Sequence, residues 1–437
     1  MAIHEPFKVI IAGGGVAGLA LANMLQKAGV DFVVLERRDV APKAGASICL
    51  ISHTGKILEQ LGIWQTICAS TFPLTDRHHI DKRGKLFDES PMFREAMEKT
   101  KRPIVFMERH FCLATLYDNI EDKSRVHADT GVVAFSEDED GITVLTSRGE
   151  NVRGSILVAA DGVHSTVRNL IADSVSEKSP ERSRDLIRAF TSSYRVVFGT
   201  STNRTGGDML PPDGVAVHVY YRNVSGITSA GPKGLIFWFL FIKEETSSST
   251  PDCPRYTEAD AAASIEKYGS LTACPWFSFR DLWDTRISGG MVPMEEGVVR
   301  GPWNNSGRVV LVGDATCKTT VNGALGGNLS IEGVCNLANE LVPLIRTTPT
   351  PTAHDLAGVF ERYEQKQRPR AEISYTSSNM VTRYESMDSL WLRFLRWLSS
   401  WVRFRSETKG ILGYIETASF LNFLPDPDAP QGSQGPH

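Results

Sequence analysis

The sequence predicts an α/β fold. A mostly parallel sheet with flanking helices is interrupted by an inserted, mostly antiparallel sheet and followed by a helical C-terminal segment. Three observations carry this. Apolar strand-like runs alternate with helical stretches from the start to about residue 172. Longer strand-like runs bounded by Gly, Ser and Pro then dominate to about residue 286, and the alternating texture returns at Arg308-Val309-Val310-Leu311-Val312-Gly313-Asp314. The chain's 437 residues exceed one small domain and can bury a large core.

The first element is the most telling. Val9-Ile10-Ile11-Ala12 and Phe32-Val33-Val34-Leu35 each read as a buried strand, with Gly13-Gly14-Gly15-Val16-Ala17-Gly18 between them and Glu36 after them. Strand, glycine turn, helix, strand and acid form a Rossmann-like, dinucleotide-binding unit. Gly13 permits the tight turn, Gly15 lets a pyrophosphate approach the backbone, and Gly18 lets the helix pack on the sheet. The helix N-terminus offers free N–H groups to the phosphates. Glu36 is placed to accept from a ribose hydroxyl.

Further along, Gln60-Leu61-Gly62 reads as a helix end with its glycine cap, and residues 141–146 read as a hairpin strand. Ile156-Leu157-Val158-Ala159-Ala160 is a buried strand closed by Asp161-Gly162, with Ser165 able to cap the next helix. In the middle region, 193–199, 215–221 and 235–242 read as strands and 260–268 as a helix. Gly313-Asp314 ends another buried strand before a second glycine-rich turn, Asn322-Gly323-Ala324-Leu325-Gly326-Gly327-Asn328, and a helix starting near Gly327. There Asp314 can accept from a hydroxyl chain, and the amides around Gly326 and Gly327 can face an electron-rich ring. Residues 361–375 read as a polar helix and 425–437 as a disordered tail. The expected boundaries are 1–173 and 287–375 for the two parts of the dinucleotide unit, 174–286 for the inserted sheet and 376–424 for the C-terminal segment.

Composition narrows the function classes. The formal net charge of -4 gives no nucleic-acid surface. The 7 cysteines are scattered without a CxxC pair, which fits a reducing compartment and gives no zinc spacing. The first strand begins almost at once, leaving no room for a signal peptide. An intracellular protein, cytoplasmic or on the cytosolic face of a membrane, is expected.

The three motifs, in this order, resemble the class A flavoprotein monooxygenases, which share the fold of para-hydroxybenzoate hydroxylase. Finer likeness is to fungal monooxygenases of secondary metabolism, carried by Pro254-Arg255-Tyr256-Thr257, Leu282-Trp283, Pro293-Met294-Glu295-Glu296-Gly297, Trp303 and Asn328-Leu329-Ser330-Ile331-Glu332. The group most alike epoxidises prenyl chains of indole diterpenes and meroterpenoids. The resemblance implies bound FAD, transient NADPH, O2 and a small hydrophobic prenylated or terpenoid substrate. It implies Glu36 at the adenosine ribose, Arg109 and Cys49 at FAD, Asp161 serving FAD and NAD(P)H, and Asp314 and Gly327 on the flavin side. Gly13, Gly15, Gly18 and Asn328 complete the cofactor set. Three departures stand out: Cys317 where relatives carry His, Val321 where they carry Pro, and Gly323-Ala324-Leu325-Gly326 where Gly-Gly-Gln-Gly is usual. Replacing Pro frees an N–H beside the ring, which keeps a non-redox cyclase or isomerase, and an aromatic-ring hydroxylase, as alternatives.

Arg195, Tyr220 and Tyr221 are the candidate catalytic groups of the inserted sheet, with strand alternation deciding which tyrosine faces the flavin. No metal is expected. Near the C-terminus, Trp391, Phe394, Leu395, Leu398, Trp401 and Val402 share one helical face, and Arg393, Arg396, Ser400 and Arg403 share the other. Such a helix suits either a membrane interface or packing on the body of the protein.

Overall fold

The computed structural model describes residues 6–43, 45–202, 212–399 and 406–430. Residues 431–437 of the expected tail and the part of the C-terminal apolar face at Trp401 and Val402 lie outside them.

A five-stranded, wholly parallel sheet runs in the order Val309–Leu311, Ile156–Ala159, Lys8–Ala12, Asp31–Leu35 and Val126–His127. Its strands are apolar on both faces because both are covered: Ile11 meets Gly18 of the helix Val16–Ala28 on one side, and Ile10 meets Gly154 of an antiparallel strand on the other. Val16–Ala28 and the long helix Gly326–Thr347 pack together in the same core. A three-stranded antiparallel sheet (Val132–Glu137, Ile142–Thr146, Asn151–Gly154) is attached to this unit.

The second large body is an eight-stranded sheet. Its order is Cys317–Lys318, Arg286–Val298, Thr191–Thr202, Leu235–Ser249, Val224–Ala230, Val215–Tyr221, Asp76–Ile80 and Leu86–Ser90. All pairs are antiparallel except Val215–Tyr221 with Asp76–Ile80. Two expected boundaries therefore move. Residues 76–90 leave the dinucleotide unit for the inserted sheet, and the strand Arg286–Val298 carries that sheet past residue 286. Asp76–Ile80 is mostly polar, so no apolar alternation marks it as a strand; beyond its local hairpin with Leu86–Ser90, its parallel partner lies 139 positions away. The outer face of this sheet holds Val197, Trp238, Leu240 and Ile242 under the helices Glu258–Tyr268 and Phe279–Asp284. Its other face carries Tyr194, Val196, Ile227, Phe239 and Phe241.

The polar helix is longer than expected. It spans Ala353–Glu385, starts at a Thr352–Asp355 capping box, and continues through the expected break at 375/376. Leu390–Ser399 and Ser406–Glu416 follow. The expectation of disorder from 425 is also corrected for 425–430. Lys56 binds Asp426 at 2.7 Å and Asp428 at 2.9 Å, and Arg102 binds Asp428 at 2.8 Å, so two acids in a polar sequence are fixed by cations from elsewhere.

Candidate functional site

The glycine turn is built as its spacing requires. Gly13 has φ +106°, and a Cβ there would lie 2.5 Å from Ala160 O. At Gly18 a Cβ would lie 1.9 Å from Gly13 O, so the helix closes on the turn only with glycine. Gly15 has no atom within 4 Å of a notional Cβ and opens onto a large cavity. The space at Gly15 is thus kept for something other than this chain. Glu36 accepts from Gly14 N–H at 2.6 Å and Arg38 N–H at 2.9 Å, tying the turn to the acid.

The second turn lies against the same cavity at Ala160 and Gly162. Asp161 Oδ2 accepts from Val167 N–H at 3.1 Å, while Oδ1 is buried without a partner. Burial pushes this carboxyl up, against the hydrogen bonds that favour its charge. The third turn brings Asp314, paired with Lys318 at 2.5 Å, and Gly326 and Gly327 at the start of their helix. A Cβ on Gly327 would meet Ile48 Cδ1 at 2.7 Å. Cys49 and Arg109 also line the cavity, Arg109 from the first turn of Arg109–Asp118. Asn328 does not face it. Fully buried, its side chain donates to Cys49 O at 2.8 Å and Ala324 O at 2.7 Å and accepts from Ile51 N–H at 2.9 Å. It holds the strand Ser47–Leu50 against the glycine loop. Of the three departures, Val321 and the glycine run line the cavity; Cys317 is buried, with Sγ 3.7 Å from Ala371 O.

The cavity has a volume of about 1080 Å³. It extends from these turns to the inner face of the large sheet, where Phe106, Val196, Phe198, Ile227 and Phe239 form an apolar wall. Tyr220 is on that lining and Tyr221 is not. The Tyr221 hydroxyl donates to Thr272 O at 3.0 Å on the outer side. Arg195 is likewise corrected: it alternates with the cavity residues Val196 and Phe198 and pairs with Glu244 at 2.5 Å.

A buried polar cluster beside Tyr220 was not anticipated. Arg77 and His79 share one face of Asp76–Ile80, His218 comes from the parallel neighbour, and Glu385 ends the long helix. Arg77 donates from Nε to His218 Nε2 at 3.2 Å and pairs with Glu385 at 3.1 Å. His218 Nδ1 lies 2.7 Å from Glu385 Oε1, and Asn322 donates to Oε2 at 2.6 Å. These contacts make His218 a neutral imidazole with Nδ1 protonated. Burial alone would raise the Glu385 carboxyl, but His218, Arg77 and Asn322 outweigh it and hold it below its ordinary range. His79 Nδ1 lies 2.8 Å from the Tyr220 hydroxyl. Burial, then the charges of Arg77, His218 and Arg396, press His79 well below the usual histidine range. The sequence clue was the run Arg77-His78-His79, whose charged and basic side chains lack an apolar stripe.

A profile of the FAD binding domain family matches residues 6–221 and 295–375. The chain is 32% identical over 393 residues to the FAD-dependent monooxygenase cdmI of Talaromyces verruculosus, covering 89% of this chain and 81% of that one. It is 33% identical over 437 residues to the FAD-dependent monooxygenase spyC of Aspergillus fumigatus, covering 97% and 89%. The fold is similar to that of Klebsiella pneumoniae HpxO complexed with FAD and uric acid, with a TM-score of 0.75, 19% identity and coverage of 96% and 99%.

Proposed function

The chain belongs to the FAD binding domain family, and we propose on that premise that it epoxidises a double bond of a prenylated or terpenoid intermediate, using NADPH and O2. It is an FAD-dependent monooxygenase of fungal secondary metabolism. The observation that carries the finer reading is the cavity. It joins the three cofactor turns to an apolar wall, and on its polar side Arg77, His218 and Glu385 are committed to one another. A phenol must lose a proton to be activated, but His218 is bonded at both nitrogens, Glu385 is held below its ordinary carboxylate range, and His79, pressed well below the usual histidine range, is a weak base. An alkene needs no base.

The residues fit FAD. Gly15 leaves room for a pyrophosphate, Ala160 and Gly162 of the second turn line the cavity while the Asp161 carboxyl lies buried behind them, and Asp314 with Lys318 offers an acceptor and a cation. Glu36, Cys49, Arg109 and Gly327 complete the proposed cradle. Bound FAD supplies hydride acceptance and oxygen activation. The chain orients the substrate on Val196, Phe198, Ile227 and Phe239 and excludes water with the same groups.

Peripheral membrane attachment belongs to this reading. On Leu390–Ser399, Trp391, Phe394 and Trp397 are 64%, 48% and 58% exposed. On the preceding helix, Ile373 and Met380 are exposed and line the cavity. Arg396 instead turns inward over Phe87, so the two faces of the helix are used differently. Among the described residues no helix is long and apolar enough to cross a membrane.

The test supplies the FAD-loaded protein with NADPH, oxygen-18 gas and a panel of prenylated aromatics and terpenes. One labelled oxygen in an epoxide product is expected. A product of unchanged mass formed without NADPH overturns the oxygenation reading in favour of a cyclase or isomerase. A labelled phenolic ring would replace epoxidation with aromatic hydroxylation.

A further inference from the structure

We infer that Nε2 of His79 binds a hydroxyl group of the substrate, so that the lipophilic molecule in this cavity is an alcohol or a phenol rather than a hydrocarbon. This rests on the lipophilic substrate proposed above. His79 is 6% exposed and lines the cavity. Its Nδ1 is engaged by the Tyr220 hydroxyl at 2.8 Å, while Nε2 has no partner among the described residues and is not sealed from the cavity. A buried polar atom facing an apolar chamber is costly unless a ligand satisfies it.

The surroundings fix the charge of the ring. Arg77, His218 and Arg396 all lie near His79, and the Arg77–Glu385 pair is already balanced. The nearby carboxylate Asp88, its cross-strand neighbour, acts on Arg396. His79 is therefore neutral, and a neutral imidazole has two tautomers. When Tyr220 donates to Nδ1, Nε2 carries the proton and donates. When Nδ1 donates to Tyr220, Nε2 accepts. A carbonyl or ether oxygen answers only the first state. A hydroxyl is both donor and acceptor and answers either. A carboxylate or phosphate would place a second anion beside Glu385.

The ring is also held in place. His79 packs edge-on to Tyr220 at 5.7 Å and tilted to His218 at 5.6 Å. The Phe87 ring lies tilted to it at 6.1 Å, under Arg396. The position of Nε2 is thus set before any ligand arrives.

Calorimetric titration of FAD-loaded protein with farnesol, farnesal and farnesyl methyl ether tests this. Farnesol is expected to bind at least tenfold more tightly than the methyl ether, with farnesal between them. In His79→Phe the three should bind within about twofold of one another. His79→Gln, whose amide reaches the Nε2 position, should restore part of the preference, while His79→Asn should not. FAD content of each variant, read from flavin absorbance, reports folding. Equal binding of farnesol and its ether to the unaltered protein, no binding of farnesol, or an unchanged preference in His79→Phe overturns the inference. Binding requires no turnover, so failure of the oxygen-18 experiment would leave this result standing, and the converse also holds.

Discussion

Replacing Gly15 with alanine separates cofactor approach from packing. Gly15 has φ −80° and ψ −169°, which alanine adopts without strain, and its notional Cβ touches nothing within 4 Å. A glycine-to-alanine change at such a site stabilises the cofactor-free fold by about 0.4–1 kcal/mol, because the unfolded chain loses freedom. The added methyl occupies the space proposed for the pyrophosphate. FAD affinity should fall at least about tenfold, or ~1.4 kcal/mol. Gly18→Ala is the opposite control. Its Cβ would lie 1.9 Å from Gly13 O, so the helix must shift and the fold itself loses about 1–3 kcal/mol or more. The assay pairs urea unfolding of stripped protein with FAD titration followed by flavin fluorescence. Gly15→Ala should unfold later and bind FAD weakly; Gly18→Ala should be impaired in both. A Gly15→Ala protein that binds FAD as the parent does would refute the argument that this gap exists for the phosphates.

Other expectations follow from the polar cluster and the corrected residues. Glu385→Gln leaves the Arg77 guanidinium buried beside a neutral group and should cost about 3–5 kcal/mol in urea unfolding. The folded pKa of Glu385 is depressed, so its contribution is complete above the ordinary carboxylate range and is lost as pH falls through the folded value. His53 acts in the same direction by a different route. Burial, then the charge of Arg370, lowers it to about 3, and neither ring nitrogen has a hydrogen-bond partner, Glu332 Oε2 lying 3.8 Å from Nε2. The unfolded chain takes up the proton first as pH falls below the usual histidine value, at a cost of about 1.4 kcal/mol per pH unit. His53→Leu should flatten the loss of stability between about pH 6.5 and pH 4; an unchanged slope would sink this reading. Arg195→Ala removes a partly exposed pair on the outer face of the sheet and should change stability by less than about 1 kcal/mol, with substrate binding within twofold. Truncation after Met387 should lower lipophile binding while FAD is retained, because Leu395, Ile411 and Tyr414 line the cavity.

The dinucleotide turn was legible because its information is local. Residues 8–36 hold both strands, the three glycines and Glu36, and the contact from Gly14 N–H to Glu36 ties the turn to the acid 22 positions on. The choice between Tyr220 and Tyr221 was half legible. Alternation separates them, but which side holds the cavity depends on the sheet's partner surfaces. The same phase rule turns Arg195 away, since Val196 and Phe198 are the lining residues. The cluster around Glu385 was illegible for a stronger reason. Arg77 and Glu385 lie 308 positions apart, and His218 lies 141 from Arg77. No periodicity links such residues; only a parallel pairing of two distant strands under a helix end does.

That distance also says where selectivity is written. The family profile ends at residue 375, yet Met380, Tyr384, Glu385, Leu395, Ile411 and Tyr414 all line the cavity. The segment is fastened rather than draped. Glu332, fully buried, pairs with Arg370, which in turn donates to Tyr414 O at 2.9 Å, and Arg102 and Lys56 hold the acids beyond residue 425. A buried pair of this kind adds little net stability, because desolvation offsets its attraction. Its effect here is geometric: it sets where the last helices close the chamber that the cofactor turns open. The glycine turns fit the dinucleotide that the FAD binding domain family holds, whatever the substrate. The wall facing them comes from the inner face of the large sheet, Phe106 and a C-terminal segment, and changes there can alter which molecule is held without disturbing the cofactor's seat.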